Sequence, residues 1–354
     1  MIWAAAATAL LAACGGGGDG DQSPAVHYSK LVVFGDSLSD VGSYATPGIV
    51  AQGGGKYTVN GSGAMIWVER LAAQIQVTAP CAAETGLDAS GPFAALAAPA
   101  TTHADCYDYA QGGSRVTDPI GVANAAVLPG DTSGYLGQLT VPVVTQMQNH
   151  LAAVGGSYAG DELVTVLAGG NDLFVNLATL SATVMAGGDP TAAATAAVTA
   201  MATAGGQLAG YVQSLVLAKG ATHVVVVNLP DVGKTPFALS QDAQTQGLIE
   251  QMNQAFNDQL ATGLSGVAGV LLVDLYTQSG NQAANPALYA LTNITDTACD
   301  LTKTPIGSLT CSDATVIAGD ISHYAYADTV HPTPYGYELI AEFVAQQLLV
   351  AGWL

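Results

Sequence analysis

A serine hydroxyl becomes a nucleophile when an imidazole can take its proton and a carboxylate steadies the imidazolium that results. Ser37 lies in Phe34-Gly-Asp-Ser-Leu-Ser-Asp-Val-Gly42, directly after the apolar run Lys30–Gly35. A serine at such a strand-to-helix turn can aim its Oγ into the crevice at the strand end, beside helix-start N–H groups able to hold an oxyanion. It can equally be a helix N-cap. Among six histidines, His331 stands apart in the proline-bounded turn Asp328-Thr-Val-His-Pro-Thr-Pro334, with an aspartate three residues before it. That spacing lets Asp328 orient the ring through Nδ1–H, although both residues could also cap the final helix. His27, His103, His150, His223 and His323 read as loop, helix-surface or strand residues. Asp274, ending another apolar run, rivals Asp328 as the carboxylate, while Asp172 and Asp231 read as helix N-caps.

Groups this far apart in the chain need a scaffold to gather them. Five runs are candidates for strands: Lys30–Gly35, a weaker one at Tyr107–Ala110, Glu162–Ala168, His223–Leu229 and Gly269–Asp274. Three are continuous and β-branched, the pattern of strands buried on both faces in a parallel sheet. Between them Trp67, Leu71 and Ile75 follow helical spacing, as do Ile249, Met252, Phe256 and Leu260, and later Leu339, Phe343 and Leu348. Alternation of strand and helix predicts a three-layer α/β/α sandwich, flavodoxin-like, around a five-stranded mostly parallel sheet. Ligands of such sheets sit outside the carboxyl ends of the strands. That rule singles out Asp36-Ser37, Gly112-Gly113, Gly170-Asn171-Asp172, Pro230-Asp231 and Asp274. The stretch Ser43–Asp105 reads as one helix plus an irregular surface excursion. With Leu173–Gly187 it is expected to wall the crevice.

Four blocks occur in order: Gly35-Asp-Ser-Leu38, Tyr109-Ala-Gln-Gly-Gly-Ser-Arg115, Gly169-Gly-Asn-Asp172 and Asp328-x-x-His331. The set resembles the GDSL, or SGNH, hydrolases, and the resemblance covers roughly Leu31 to Val350. Asn228-Leu-Pro-Asp-Val-Gly-Lys-Thr-Pro236 and Leu271-Leu-Val-Asp-Leu-Tyr276 look like the branch of autotransporter esterases, haemolysin-like lipases and plant GDSL lipases. The resemblance implies a serine carboxylic-ester hydrolase working through an acyl-enzyme. Ser37 would be nucleophile, His331 base and acid, and Asp328 its orienting partner. The oxyanion donors would be the backbone N–H of Ser37, that of Gly113 (or its neighbour Gly112), and the side-chain amide of Asn171. A glycine permits close approach, and an amide donates without placing a charge there. No metal or organic cofactor is implied. Asp108 stands where the second block more often has Asn. Rival readings are an acyltransferase, a lysophospholipase or thioesterase at the same site, and a surface lipoprotein that binds acyl ligands without turnover.

Composition narrows the partners. Seven Lys+Arg face 27 Asp+Glu, for a net charge of −20, with 50% hydrophobic and 10% charged residues. Such a surface repels phosphate backbones, which excludes a nucleic-acid binder. The expected organisation is a lipoprotein-type signal peptide at 1–13, a Gly-rich tether at 14–29 and one hydrolase domain at 30–354. Ile2–Ala13 is apolar but too short to span a bilayer, and Leu11-Ala-Ala-Cys14 looks like a lipobox, although no Lys or Arg precedes Lys30. A lipid on Cys14 would then be the membrane anchor, since only 23 residues follow His331 and no barrel is expected. The chain is read as exported to the bacterial periplasm, the outer membrane or the medium. Cys81, Cys106, Cys299 and Cys311 suggest two disulfides in that compartment, and proximity favours Cys81–Cys106 and Cys299–Cys311 among three pairings. No Cys-x-x-Cys occurs and no His lies at ligand spacing from a cysteine, so a zinc site is not indicated. Gly-x-Ser-x-Gly is absent, and the Gly15–Gly20 and Gly233-Lys-Thr235 matches to nucleotide motifs lack their strand or first glycine.

Overall fold

Valine-rich runs with no polar alternation need both faces covered, and that need organises the molecule. The computed structural model describes residues 26–126, 132–304 and 306–354. Among them the strands are β1 (Leu31–Gly35), β2 (Glu84–Leu87), β3 (Ala98–Thr102), β4 (Leu163–Leu167), β5 (His223–Val227), β6 (Val270–Val273), β7 (Asn293–Thr297) and β8 (Tyr324–Tyr326). The α-helices are α1 (Pro47–Val50), α2 (Trp67–Gln74), α3 (Val143–Ala153), α4 (Gly170–Met185) and α5 (Pro190–Tyr211). They continue with α6 (Pro236–Leu239), α7 (Ala243–Leu264), α8 (Leu275–Ala284) and α9 (Pro334–Ala351).

The central sheet is parallel throughout, in the order β1-β4-β5-β6, with Leu31 opposite Leu163 and Leu163 opposite His223. The weaker second run reaches it only as a single parallel bridge, Val33 with Asp108, on the free side of β1. Two backbone bonds of 2.9 Å make that bridge. The sheet is thus four full strands with a one-residue fifth, in the flavodoxin-like order 2-1-3-4-5. Alternate residues feed opposite layers. Val32, Phe34, Val164, Val166, Val224 and Val226 pack with residues of α3, α5 and α7. Leu31, Val33, Leu163, Leu167, Val225 and Val227 pack with α2 and α9. Each fully buried valine contributes about 1.5–3 kcal/mol, so the layers hold the strand ends rigidly.

Local chemistry sets the helix boundaries. Asp189, Asp242 and Thr333 accept first-turn N–H groups of α5, α7 and α9, and Pro190 and Pro334 occupy positions where no N–H is needed. Gly205 lets α5 cross α7 closely, since a Cβ there would lie 2.2 Å from the Phe256 carbonyl oxygen. In α9 the buried stripe is Tyr337, Ile340, Ala341, Val344, Ala345 and Leu348. It runs one position away from the expected Leu339 and Phe343, which are half-buried.

Three expectations change in detail. The Ser43–Asp105 excursion contains the antiparallel pair β2–β3 besides α1 and α2, and β7–β8 form another small pair near the C-terminus. Residues 26–29, read as tether, already pack: Tyr28 donates to the Trp353 carbonyl at 2.9 Å and Ser29 to Asp161 at 2.8 Å. The signal peptide, the rest of the tether and Cys14 lie outside the described residues. Both favoured disulfides are formed, Cys81–Cys106 and Cys299–Cys311.

Candidate active site

Strand order reverses direction between β1 and β4, and the loops leaving these strands open the crevice that holds Ser37 and Asn171. Ser37 follows β1 in a tight turn, where the Ser39 N–H donates to the Asp36 carbonyl at 3.0 Å and the Leu38 N–H to the Asp36 carboxylate at 3.1 Å. No helix starts there, so Ser37 is not an N-cap and has no helix-start amides of its own, contrary to the expectation. The strand end is fixed from the side. Buried Gln146 of α3 accepts from the Gly35 N–H at 2.9 Å and donates to the Gly35 carbonyl at 2.8 Å, standing in for a neighbouring strand.

The Ser37 hydroxyl lies 2.8 Å from His331 Nε2, and His331 Nδ1 lies 2.8 Å from Asp328 Oδ2. Asp328 also accepts backbone N–H groups from Ser308 (2.9 Å), Val330 (2.9 Å) and His331 (2.8 Å). Burial alone would raise its carboxyl, but the charge of His331 and these donors outweigh burial and hold it well below the usual carboxylate range. An ionised Asp328 accepts only, so Nδ1 carries the proton and Nε2 is left as acceptor for Ser37. Buried Tyr57 lies against the imidazole with ring centroids 4.8 Å apart. Asp274, the rival carboxylate, is elsewhere: it caps α8 and accepts from Asn228 at 2.9 Å.

The loop after the one-residue strand is tied to both neighbours. Asp40 Oδ1 accepts from Gly42 at 2.8 Å and Ser43 at 2.6 Å, and its Oδ2 accepts the Gly112 N–H at 2.9 Å. That bond occupies the Gly112 amide. Gly113 has φ +81°, and a Cβ there would sit 2.4 Å from the Val122 carbonyl oxygen. The Tyr57 hydroxyl bonds the Gln138 amide, whose nitrogen, in the orientation that satisfies both ends, donates to Gly112 and Val122 carbonyls. Asn171, at the N-terminal end of α4, donates to the Ser114 carbonyl at 2.9 Å and lines the cavity. Gly169, at φ +119°, takes the left-handed position before it. Asp172 is not an N-cap as expected. Within the first turn of α4 it accepts from Arg115 Nε at 3.1 Å and the Val116 N–H at 2.9 Å.

Ser37, Asn171 and His331 line a cavity of about 520 Å³, whereas Asp328, Gly112 and Gly113 are not among its lining residues. Leu173–Gly187 contributes to its wall through Phe174, Leu177, Ala178 and Ser181, while the Ser43–Asp105 excursion contributes none of its lining. Asp36 lines it too, and burial pushes its carboxyl up to about 7 against the pull of the Leu38 N–H and His331. The Ser308 N–H and Gln146 escape sequence reasoning, the first because it is backbone, the second because a lone glutamine carries no pattern. Among the described residues no group of three or more His, Cys, Asp or Glu is arranged to hold a metal.

Ser37, His331 and Asp328 thus stand in hydrogen-bonded series at the switch point of a parallel sheet on an α/β/α scaffold. The chain belongs to the GDSL-like Lipase/Acylhydrolase family, whose family model matches residues 31–344. It is similar to the esterase EstA of Pseudomonas aeruginosa, 30% identical over 353 residues covering 92% of this chain and 47% of that protein. The chain therefore spans about half the length of the curated relatives it matches most fully. A GDSL esterase/lipase of Arabidopsis thaliana is 24% identical over 223 residues, 58% of each chain. Among solved structures, a phospholipase A1 from Streptomyces albidoflavus NA297 shares 15% identity at a TM-score of 0.42, covering 90% of this chain and 99% of that one.

Proposed function

We propose that this protein is a serine carboxylic-ester hydrolase acting through an acyl-enzyme. The observation that carries the reading is the continuous series Ser37 Oγ, His331 Nε2, His331 Nδ1, Asp328, with both hydrogen bonds at 2.8 Å on the wall of a mostly apolar cavity. Ser37 Oγ attacks the acyl carbon as its proton passes to His331 Nε2, and the Asp328 carboxylate stabilises the imidazolium. His331 then protonates the leaving alcohol oxygen. A water deprotonated by the same imidazole attacks the acyl-enzyme, His331 returns that proton to Ser37 Oγ as the Ser37–acyl bond breaks, and the acid departs. The carbonyl oxygen, negative at both tetrahedral stages, takes hydrogen bonds from the Ser37 and Gly113 N–H groups and the side-chain amide of Asn171. The N-terminal end of α4 adds a favourable partial positive charge.

We infer export as well, because two disulfides are at home in an oxidising compartment. Anchoring through Cys14 rests on the lipobox pattern alone. The test of the catalytic reading is hydrolysis of p-nitrophenyl esters by wild type and Ser37→Ala, with mass spectrometry of a fluorophosphonate adduct. The expected result is a loss of about a thousandfold or more in kcat/KM and labelling confined to the Ser37 peptide. Full activity in folded Ser37→Ala would overturn it.

A further inference from the structure

The cavity does not end at the reacting groups. Asn171, Phe174, Ala178 and Ser181 follow one another at intervals of three, four and three residues, so they share one face of α4, and all four line the cavity. At about 1.5 Å per residue this face carries the groove about 15 Å from the Asn171 amide to Ser181. The opposite wall holds Phe237 and Gln241, and the Phe174 and Phe237 rings meet edge to face with centroids 5.2 Å apart, joining the two walls. The titratable members of the lining, Asp36 and His331, both sit at the Ser37 end. The far end opens, because Ala178 and Ser181 are exposed.

We propose, building on the hydrolase reading above, that the groove along α4 selects esters of linear, medium-length acyl chains and that Ala178 and Ser181 set the length at which selection stops. The direction follows from the chemistry. His331 has to reach the leaving oxygen, so the alcohol departs on the His331 side, where Thr329 and Val330 line the cavity. With the carbonyl oxygen turned to Asn171 and Gly113, the acyl chain is left with the apolar run beside Phe174 and Leu177. A zigzag carbon chain advances about 1.25 Å per bond of about 1.5 Å, so about twelve bonds, or about thirteen acyl carbons, cover the length of the face to Ser181. Further carbons enter solvent and gain nothing. No titratable side chain beyond Asp36 and His331 lies on this path, and no Lys or Arg lines it to favour a phosphate headgroup.

The experiment compares kcat/KM for p-nitrophenyl esters from acetate to palmitate, and separately for n-alkyl acetates of the same lengths, in wild type, Ala178→Phe and Ser181→Phe. Wild type is expected to gain about fourfold per acyl methylene at full burial, then to plateau near about thirteen carbons. Ala178→Phe, about seven-tenths of the way along the face, should bring the plateau to about nine carbons and lower the laurate-to-acetate ratio at least about tenfold. Ser181→Phe should leave hexanoate-to-acetate as in wild type and affect only the longer chains. A flat acyl profile in an enzyme that hydrolyses acetate, or profiles that coincide in all three proteins, would overturn the groove while leaving the hydrolase intact. Length dependence confined to the n-alkyl acetates would assign the groove to the alcohol instead. Folded wild type inert on every ester would overturn the hydrolase reading itself.

Discussion

His150, on α3, is the place where acidity should test the fold most directly. It is fully buried, caged by Phe34, Tyr107, Tyr109 and Tyr158, with the Tyr158 ring centroid 4.7 Å away. Neither ring nitrogen has a hydrogen-bond partner. Burial drives its pKa down to about 4, Lys30 adds to the effect and Glu162 opposes it. In the unfolded chain the ring titrates near 6.5. Between these values the unfolded state binds the extra proton, so His150 makes stability rise with pH across that window. Its contribution is complete above about 6.5 and lost on descent to about 4, a total of about 3 kcal/mol. Asp36 works in the opposite sense: its carboxyl, raised to about 7, binds the extra proton in the folded state, so its part of the stability falls as pH rises through the same range. The wild-type curve alone therefore shows partial cancellation. Urea unfolding of wild type and His150→Phe from pH 4 to 8 removes the shared Asp36 term by difference. The variant should gain about 3 kcal/mol on wild type between pH 7 and 4. It should also be no less stable at pH 7.5, because two buried unpaired nitrogens disappear. Parallel curves for the two proteins would refute the reasoning.

Other perturbations probe the site's supports. Asp328→Asn should lower kcat about a thousand- to ten-thousandfold through loss of the Nδ1-protonated tautomer. It should also cost about 1–3 kcal/mol in denaturant unfolding, since one oxygen accepting the Ser308 or Val330 N–H is lost. Gly113→Ala, forced to φ +81° with its Cβ against Val122, should destabilise by about 2 kcal/mol or more. The displaced amide should lower kcat about a hundredfold with little change in KM, measured by steady-state ester kinetics. Replacing Cys299 and Cys311 by alanine opens a loop of sequence separation 12, worth about 3 kcal/mol in thermal or urea unfolding. Because Ser308 lies in that loop and donates to Asp328, kcat should fall as well, whereas the Cys81–Cys106 pair should affect stability alone.

The parts of this architecture that were readable from sequence are those whose physics is local and repeated. Val32–Phe34, Val164–Leu167 and Val224–Val227 declare strands buried on both faces because no polar residue alternates with the apolar ones except Thr165. Ser37, Asn171, Asp328 and His331 stood out through block order; folding places Ser37, Asn171 and His331 on one cavity, with Asp328 hydrogen-bonded to His331. Tyr107–Ala110 fell short of a strand because Asp108 bridges both Val33 and Ala82, a non-local pairing that turns the chain away after one residue. The pairs β2–β3 and β7–β8 escaped because short runs such as Ala-Pro-Ala-Thr-Thr carry no alternation. Helical spacing identified α9 but set its buried face one residue off, since Tyr337 and Val344 are chosen by what the sheet presents. His150 read as helix surface for a related reason: a polar residue at a buried position is visible only once its aromatic neighbours, drawn from three other segments, are in place.

The bond between Ser37 and His331 joins residues 294 positions apart. On a ribosome adding about 5–20 residues per second, the serine waits roughly 15–60 s before its histidine is even synthesised. Throughout that interval the hydroxyl has no group to take its proton, and the fold closes around it from the other end, where Tyr337 of α9 donates to the Tyr57 carbonyl and Thr58 to that of Pro332. On the proposed catalytic reading, a nascent chain that stops short of His331 lacks the base for Ser37, so the order of synthesis would keep the hydroxyl unactivated until that histidine is added.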